Sequence, residues 1–281
     1  MDFIGKDNIK VNRIIEEALL EDIGTGDITT ESIVSPHLNK RAIIITKEVG
    51  VIAGLDIANL VFKKLDPTVD FQKRVEDGSA VKPHTILAEV SGAARVILQG
   101  ERVALNFLQH MSGIATTTFK FCQEVKDFPV QIVDTRKTIP NMRILEKYAV
   151  RIGGGRNHRF GLYDAVLIKD NHIAIAGSIA SAVNAVRAKI SPLIKIEIEI
   201  QNLSQLKEAL DSKVDIIMLD NMDLETMKQA VKITRGKVFI EASGGISLDK
   251  VKEIAGIGVD FISVGSLTHS IKALDISLEI I

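Results

Sequence analysis

Apolar residues recur at i, i+3, i+4, i+7 and i+8 in Val11, Ile14, Ile15, Ala18 and Leu19, the stripe of an amphipathic helix that Gly24 and Gly26 terminate. From Arg41 to Val96 the pattern shortens to β-type runs, RAIIITK, GVIAG, TVDFQKRV and TILAEV, broken at Asp66-Pro67, Asp77-Gly78 and Ser91-Gly92. These predict a small sheet, with the helix-like LDIANLVFKKL between two of its strands. Residues 100–126 read as two helices joined or kinked at Ser112-Gly113, with Ala104, Phe107, Leu108 and Met111 on one buried face.

After residue 128 the rhythm becomes strand, loop, helix. VQIV, AVLI, IKIEIEI, VDIIML, KVFIEA and VDFISV alternate with SIASAVNAVRAK, LSQLKEALD, DLETMKQAVKIT and SLDKVKEIAG, the signature of a parallel α/β domain. Six strands are fewer than the eight of a closed barrel, so either two are hidden or the barrel is partial.

Composition narrows the function. With 35 Lys and Arg against 36 Asp and Glu, the chain has no sustained basic field, which argues against a general nucleic-acid or membrane-surface binder. Cys122 is the single cysteine, so no intramolecular disulfide or cysteine-built metal site is possible, and its apolar neighbours Phe119, Phe121 and Val125 read as burial of an inert thiol. No secretory h-region and no run long enough to span a bilayer is present, and the expected location is cytoplasmic.

Charge is distributed unevenly. Between Asp134 and His172 eight Lys and Arg face four acids, a local net of +4 in a chain whose total is −1. Gly153, Gly154 and Gly155 allow close backbone approach there, and Arg supplies planar forks for carboxylate or phosphate. This is the pattern of an anion-handling active site. Polar groups also fall at or just beyond the C-terminal ends of the predicted strands: Asp134, Lys169, Glu199, Asp220, Glu241 with Ser243, Gly244 and Gly245, and Gly265 with Ser266. In a β/α barrel these ends form the catalytic face.

The last two glycine turns, SGGIS before a helix and VGSLTHS, offer backbone N–H groups to a phosphate. Glu199 and Asp220 suit sugar hydroxyls or Mg²⁺, held directly or through water, and the period of two puts Glu197 on the same strand face as Glu199. Arg102, near a predicted helix start, opposes the macrodipole, which suggests a ligand anion or acidic partner; a solvated arginine fits the spacing equally. His158 directly follows the glycines and reads as functional. His172 reads equally as a supporting residue, His37, His84 and His110 have no assigned role, and no zinc spacing occurs.

DTRKT, EKYAV, GGGRNHR, LIKDNH, the EIEI strand, LDN, EASGGI and GERVALNFLQ, in that family's order over about residues 15–270, closely resemble quinolinate phosphoribosyltransferase. The resemblance implies an N-terminal α/β sandwich domain over 1–112, to which 270–281 return, and an incomplete parallel, TIM-like β/α barrel over 113–269. It implies transfer of a phosphoribosyl group from phosphoribosyl pyrophosphate to quinolinate with decarboxylation, using Mg²⁺, in NAD biosynthesis. Quinolinate would be held by Arg102, Arg136, His158, Arg159 and Lys169 with Lys137 nearby, Arg102 reaching a neighbouring subunit's site, so that a homodimer or larger assembly is required. Lys137, Lys169, Glu199 and Asp220 are the implied catalytic residues, Glu199 and Asp220 also the metal-linked acids, and Ser243, Gly244, Gly245, Gly265 and Ser266 the 5′-phosphate site. Ile139, Asn141 and Gln201 depart from the pattern beside these positions without removing any of them. A paralogue linked to molybdenum transport, a Schiff-base aldolase using Lys169, and a non-catalytic sugar-phosphate binder are the competing readings.

Overall fold

The computed structural model describes residues 8–281; the part of the expected first domain over 1–7 lies outside the described residues. The first helix, α1 (Ile9–Ile23), is capped by the Asn8 side chain, buries Val11, Ile15 and Leu19, and ends at Gly24 in a left-handed φ of 53°. The Gly-Thr-Gly-Asp turn starts a helix that the pattern did not announce: the Asp27 carboxylate accepts from Thr30 N–H at 2.9 Å and caps α2 (Ile28–Ile33).

β1 (Asn39–Thr46) alternates in burial along its second half, as a strand with one covered face should. β2 (Gly50–Val51), α3 (Leu55–Leu65), β3 (Asp70–Lys73), β4 (Ala80–Val81) and β5 (Ile86–Ala93) follow. Asp77, the turn residue expected there, accepts from Gly54 N–H at 2.8 Å and Leu55 N–H at 3.1 Å and so closes the start of α3.

The stretch read as two helices is one, α4 (Ala94–Glu124). Ser112-Gly113 is a seat and not a break: Ser112 Oγ accepts from Ala53 N–H at 3.0 Å, and a Cβ on Gly113 would strike the Lys272 carbonyl oxygen. Because α4 begins at Ala94, Arg102 lies well inside the helix, and the macrodipole argument for it does not hold.

Beyond α4 come β6 (Gln131–Val133), α5 (Arg143–Ile152), β7 (Val166–Ile168), α6 (Asp170–Ala176) and α7 (Ile179–Arg187). Then β8 (Ile196–Ile200), α8 (Leu203–Asp211), β9 (Ile216–Asp220), α9 (Leu224–Thr234), β10 (Phe239–Ser243), α10 (Val251–Ala255), β11 (Phe261–Ser263), α11 (Ser266–His269) and β12 (Ile276–Ile280) complete the chain.

Two compact units result. The first holds the described residues up to 119 together with 138–154 and 267–281, and the second holds 120–137 with 155–266. These compact units change over between residues 119 and 120, within α4, and α5 groups with the first unit. In the first unit a four-stranded antiparallel sheet runs β12-β1-β5-β3, the last strand pairing with the first along Ala42 to Thr46. Lys147, one of the cations of the electropositive stretch, is only 2% exposed there: α5 also buries Ile144, Leu145, Glu146, Ala149 and Val150, so more than one of its faces is covered.

The second unit is a six-stranded parallel sheet in the order β6-β11-β10-β9-β8-β7, an incomplete β/α barrel. The predicted strands all form. The outer edge of β6 is met by Arg156, whose N–H donates to Ile132 O at 2.8 Å and whose O accepts from Asp134 N–H at 3.1 Å. In β8, Ile196, Ile198 and Ile200 are buried on one face while Glu197 and Glu199 share the other. Register aligns Glu199 with Met218, Met218 with Glu241, and Asp220 with Ser243, so the acids of three neighbouring strands lie on one face.

Candidate active site

Every group below except Arg102 belongs to the second unit. Lys169 follows β7 and caps α6; its backbone N–H donates to His172 Nδ1 at 2.9 Å, which gives His172 the supporting role left open by the sequence. Lys169 Nζ lies 3.2 Å from Glu199 Oε2, with the lysine side chain 46% exposed and the glutamate 11%. The amine is therefore fixed but wet, which does not favour the desolvated nucleophile a Schiff-base aldolase needs.

Asp220 ends β9, and its carboxylate accepts from Asn221 Nδ2 at 2.9 Å. Asn221 takes a left-handed φ of 53° and donates its backbone N–H to Ser243 O at 3.0 Å. That brings Asn221 against Gly244, whose φ is 100° and whose position admits no Cβ because Asn221 backbone N would lie 2.7 Å from it. Ser243, Gly244 and Gly245 thus form a tight cradle, but α10 begins only at Val251, so this turn does not open a helix as expected. Gly265 and Ser266, half-buried, do lead directly into α11.

Next to β6 stands the stretch from Gly155 to Arg159. Asp134 is fully buried; one oxygen accepts from Asn157 Nδ2 at 2.7 Å and the other from His158 N–H at 2.8 Å. The His158 ring reaches inward, Nε2 lying 2.8 Å from Glu197 Oε2 and 3.6 Å from Glu241 Oε2. Glu197 and Glu241 are 4% and 2% exposed, and each keeps one buried oxygen without a hydrogen-bond partner. Burial, reinforced by the neighbouring Glu197 charge, pushes the Glu241 carboxyl up to about 8. The Arg159 guanidinium donates to Ala165 O at 3.2 Å; burial, and then the like charge of Arg136 close by, make it a weaker base than usual.

The structure thus joins Lys169 with Glu199, Arg136 with Arg159, His158 with Glu197 and Glu241, and Asp220 with Ser243 and Gly244 through Asn221. Lys137 is exposed at the end of the Asp134 loop. Arg102, exposed on α4, belongs to the first unit. The sequence reading placed Glu241 among the polar strand ends and Glu197 on the face of Glu199 but gave neither a role in the site; an acid inside an otherwise apolar strand was the available signal.

For a divalent cation, Glu199 and Asp220 supply hard oxygen donors at adjacent strand ends, which fit Mg²⁺. The ammonium 3.2 Å from Glu199 favours contact through water there. Among the described residues, His158, Glu197 and Glu241 also bring donor atoms within 4.8 Å of one another.

With this geometry in hand, comparisons with known proteins are unambiguous. Residues 27–112 match the family Quinolinate phosphoribosyl transferase, N-terminal domain, and residues 114–279 match its C-terminal domain. The chain is 44% identical over 273 residues to the "Probable nicotinate-nucleotide pyrophosphorylase (carboxylating)" of Bacillus subtilis, covering 97% of this chain and 94% of that protein. It is 43% identical over 272 residues to the nicotinate-nucleotide pyrophosphorylase (carboxylating) of Mycobacterium leprae, with 95% of each covered. The structure of the nicotinate-nucleotide pyrophosphorylase from Francisella tularensis superimposes with a TM-score of 0.95 at 43% identity, over 100% of this chain and 99% of that one. Family matches to both parts of the chain, together with near full-length identity well above 30%, place it: the chain belongs to the quinolinate phosphoribosyl transferase family.

Proposed function

We propose that the C-terminal end of the barrel works by holding two anions side by side, quinolinate on its cations and phosphoribosyl pyrophosphate on its acids and glycine turns. As a family member the enzyme is a decarboxylating quinolinate phosphoribosyltransferase: it forms nicotinate mononucleotide, pyrophosphate and CO₂ in NAD biosynthesis. The observation that carries the assignment of roles is the Lys169–Glu199 pair at 3.2 Å, where the cationic and the acidic sides of the site meet.

Arg136, Arg159 and Lys169, with Lys137 beside them, take the two carboxylates of the pyridine diacid, offsetting their repulsion from the sugar phosphate. Glu199 and Asp220 accept hydrogen bonds from the ribose hydroxyls, and backbone N–H groups at 243–245 and 265–266 take the 5′-phosphate. As the pyridine nitrogen attacks the anomeric carbon and pyrophosphate leaves, positive charge grows on the sugar in front of the two acids. Glu199 and Asp220 would hold Mg²⁺, which would supply neutralising charge for the departing pyrophosphate. The ring nitrogen is then cationic and stabilises the electron pair left on the adjacent ring carbon when its carboxylate departs as CO₂; that carbon then takes up a proton to give nicotinate mononucleotide. Lys169 and the guanidinium groups hold the ring in place through both steps.

Arg102 is proposed to complete the quinolinate site of a second copy in a homodimer or larger assembly, which its exposure and its place in the first unit support. Leu162, Tyr163 and Ile175 are 73%, 78% and 88% exposed, apolar surface of the kind that assembly covers. No described helix is long and apolar enough to cross a membrane, and the proposed location is cytoplasmic.

Binding and turnover test the assignment. Arg159→Ala and Lys169→Ala should weaken quinolinate binding by about 10²-fold while leaving phosphoribosyl pyrophosphate binding intact. Asp220→Asn should do the reverse. Loss of both ligands in every variant, or of neither, contradicts it.

A further inference from the structure

We infer that His158 is a positioning residue that aims Arg159, and not itself a contact of the substrate. The inference rests on the proposed reaction for its meaning but on ring geometry for its argument. Arg159 backbone N–H donates to His158 Nδ1 at 2.8 Å, so that nitrogen carries no proton. The remaining nitrogen, Nε2, lies 2.8 Å from Glu197 Oε2 and must be the protonated one, donating to a carboxylate that is itself nearly out of water. Both ring nitrogens are thereby engaged within the protein, and the ring is the neutral Nε2–H tautomer. A metal ion on Nε2 would need the ring proton on Nδ1, where Arg159 N–H already donates, so the closeness of His158, Glu197 and Glu241 does not make this a metal centre.

What the ring does instead is fix the backbone of the next residue. Asp134 holds His158 N–H at 2.8 Å, Glu197 holds the ring, and the ring holds Arg159 N–H. The guanidinium at the end of this chain sits near Arg136, whose like charge repels it. A side chain pushed by its neighbour and asked to meet a carboxylate at a fixed place needs a rigid base. His158 supplies it, and the buried Glu197 anchors the whole arrangement from the barrel interior.

A double-mutant cycle with quinolinate as the varied substrate tests this. His158→Ala should lower kcat/KM for quinolinate by about 10²-fold, with KM for phosphoribosyl pyrophosphate unchanged. In an Arg159→Ala background the same substitution should change it by no more than about twofold. His158→Asn, whose amide oxygen can take the Nδ1 position, should recover part of the loss. Losses that multiply in the double variant would overturn the inference. So that misfolding cannot confuse the result, ¹⁵N spectra of the ligand-free wild-type enzyme should show an unprotonated Nδ1 and a protonated Nε2 for His158, unmoved by quinolinate. A doubly protonated ring, or ring signals that shift on quinolinate binding, would overturn it as well. A wild-type enzyme that fails to turn over quinolinate would defeat the functional reading alone, because the tautomer is measured without substrate.

Discussion

Glu197 and Glu241 sit almost wholly out of water, each with one oxygen that meets no donor, beside a histidine ring that hydrogen-bonds Glu197. Such a pair costs stability when both members are charged. Glu241 holds its proton to about 8 in the folded protein, against 4.5 for an ordinary glutamate, so between these values the folded state binds more protons than the unfolded one. Stability from this group is complete below the unfolded value and is lost as pH rises toward 8. In urea unfolding across that window, Glu241→Gln should remove a downward slope of at most about 1.4 kcal/mol per pH unit; an unchanged slope would contradict the burial argument. At this scale the sequence was readable where chemistry falls at a strand end, as with Lys169, Glu199 and Asp220. It was not readable where function depends on a partner distant in sequence: nothing near His158 names Glu197, thirty-nine positions on, and nothing near Lys147 says that its helix is covered on more than one side.

Among the elements, α4 shows how one residue type supports opposite readings. A glycine after a serine in a helical stretch suggests a break, yet Gly113 lies in a continuous helix because the Lys272 carbonyl and the Ala273 Cα pack where its Cβ would be. In an exposed helix interior, Gly→Ala gains about 1 kcal/mol. Here Gly113→Ala should instead destabilise by roughly 2 kcal/mol or more, measured as a lower urea midpoint; a stabilised variant would show that the close approach is unimportant. The Gly244 turn gives a parallel test closer to the chemistry. With φ at 100° and Asn221 in the way, Gly244→Ala should raise KM for phosphoribosyl pyrophosphate more than KM for quinolinate in steady-state kinetics. The six parallel strands were legible because each is a short apolar run between helical stretches, whereas α2 is a single capped turn too short to show a period.

At the level of the whole molecule, the chain that supplies the cationic and acidic strand ends from one unit carries Arg102 on the other. If Arg102 serves a second copy, Arg102→Ala and Lys169→Ala proteins, each weak alone, should regain activity when mixed under conditions of subunit exchange. No recovery despite proven exchange would remove the shared site while leaving the family's chemistry untouched. The family itself was legible from eight short motifs in order, because an anion site built from loops at strand ends keeps its residues in compact sequence blocks. The central claim is that this one site couples phosphoribosyl transfer to decarboxylation. It is tested most directly by incubating the enzyme with Mg²⁺, phosphoribosyl pyrophosphate and quinolinate labelled in the carboxylate next to the ring nitrogen, and by following labelled CO₂ and pyrophosphate together. Equal amounts of both, released only when all components are present, are the predicted result; release of neither, or of pyrophosphate without CO₂, would contradict it.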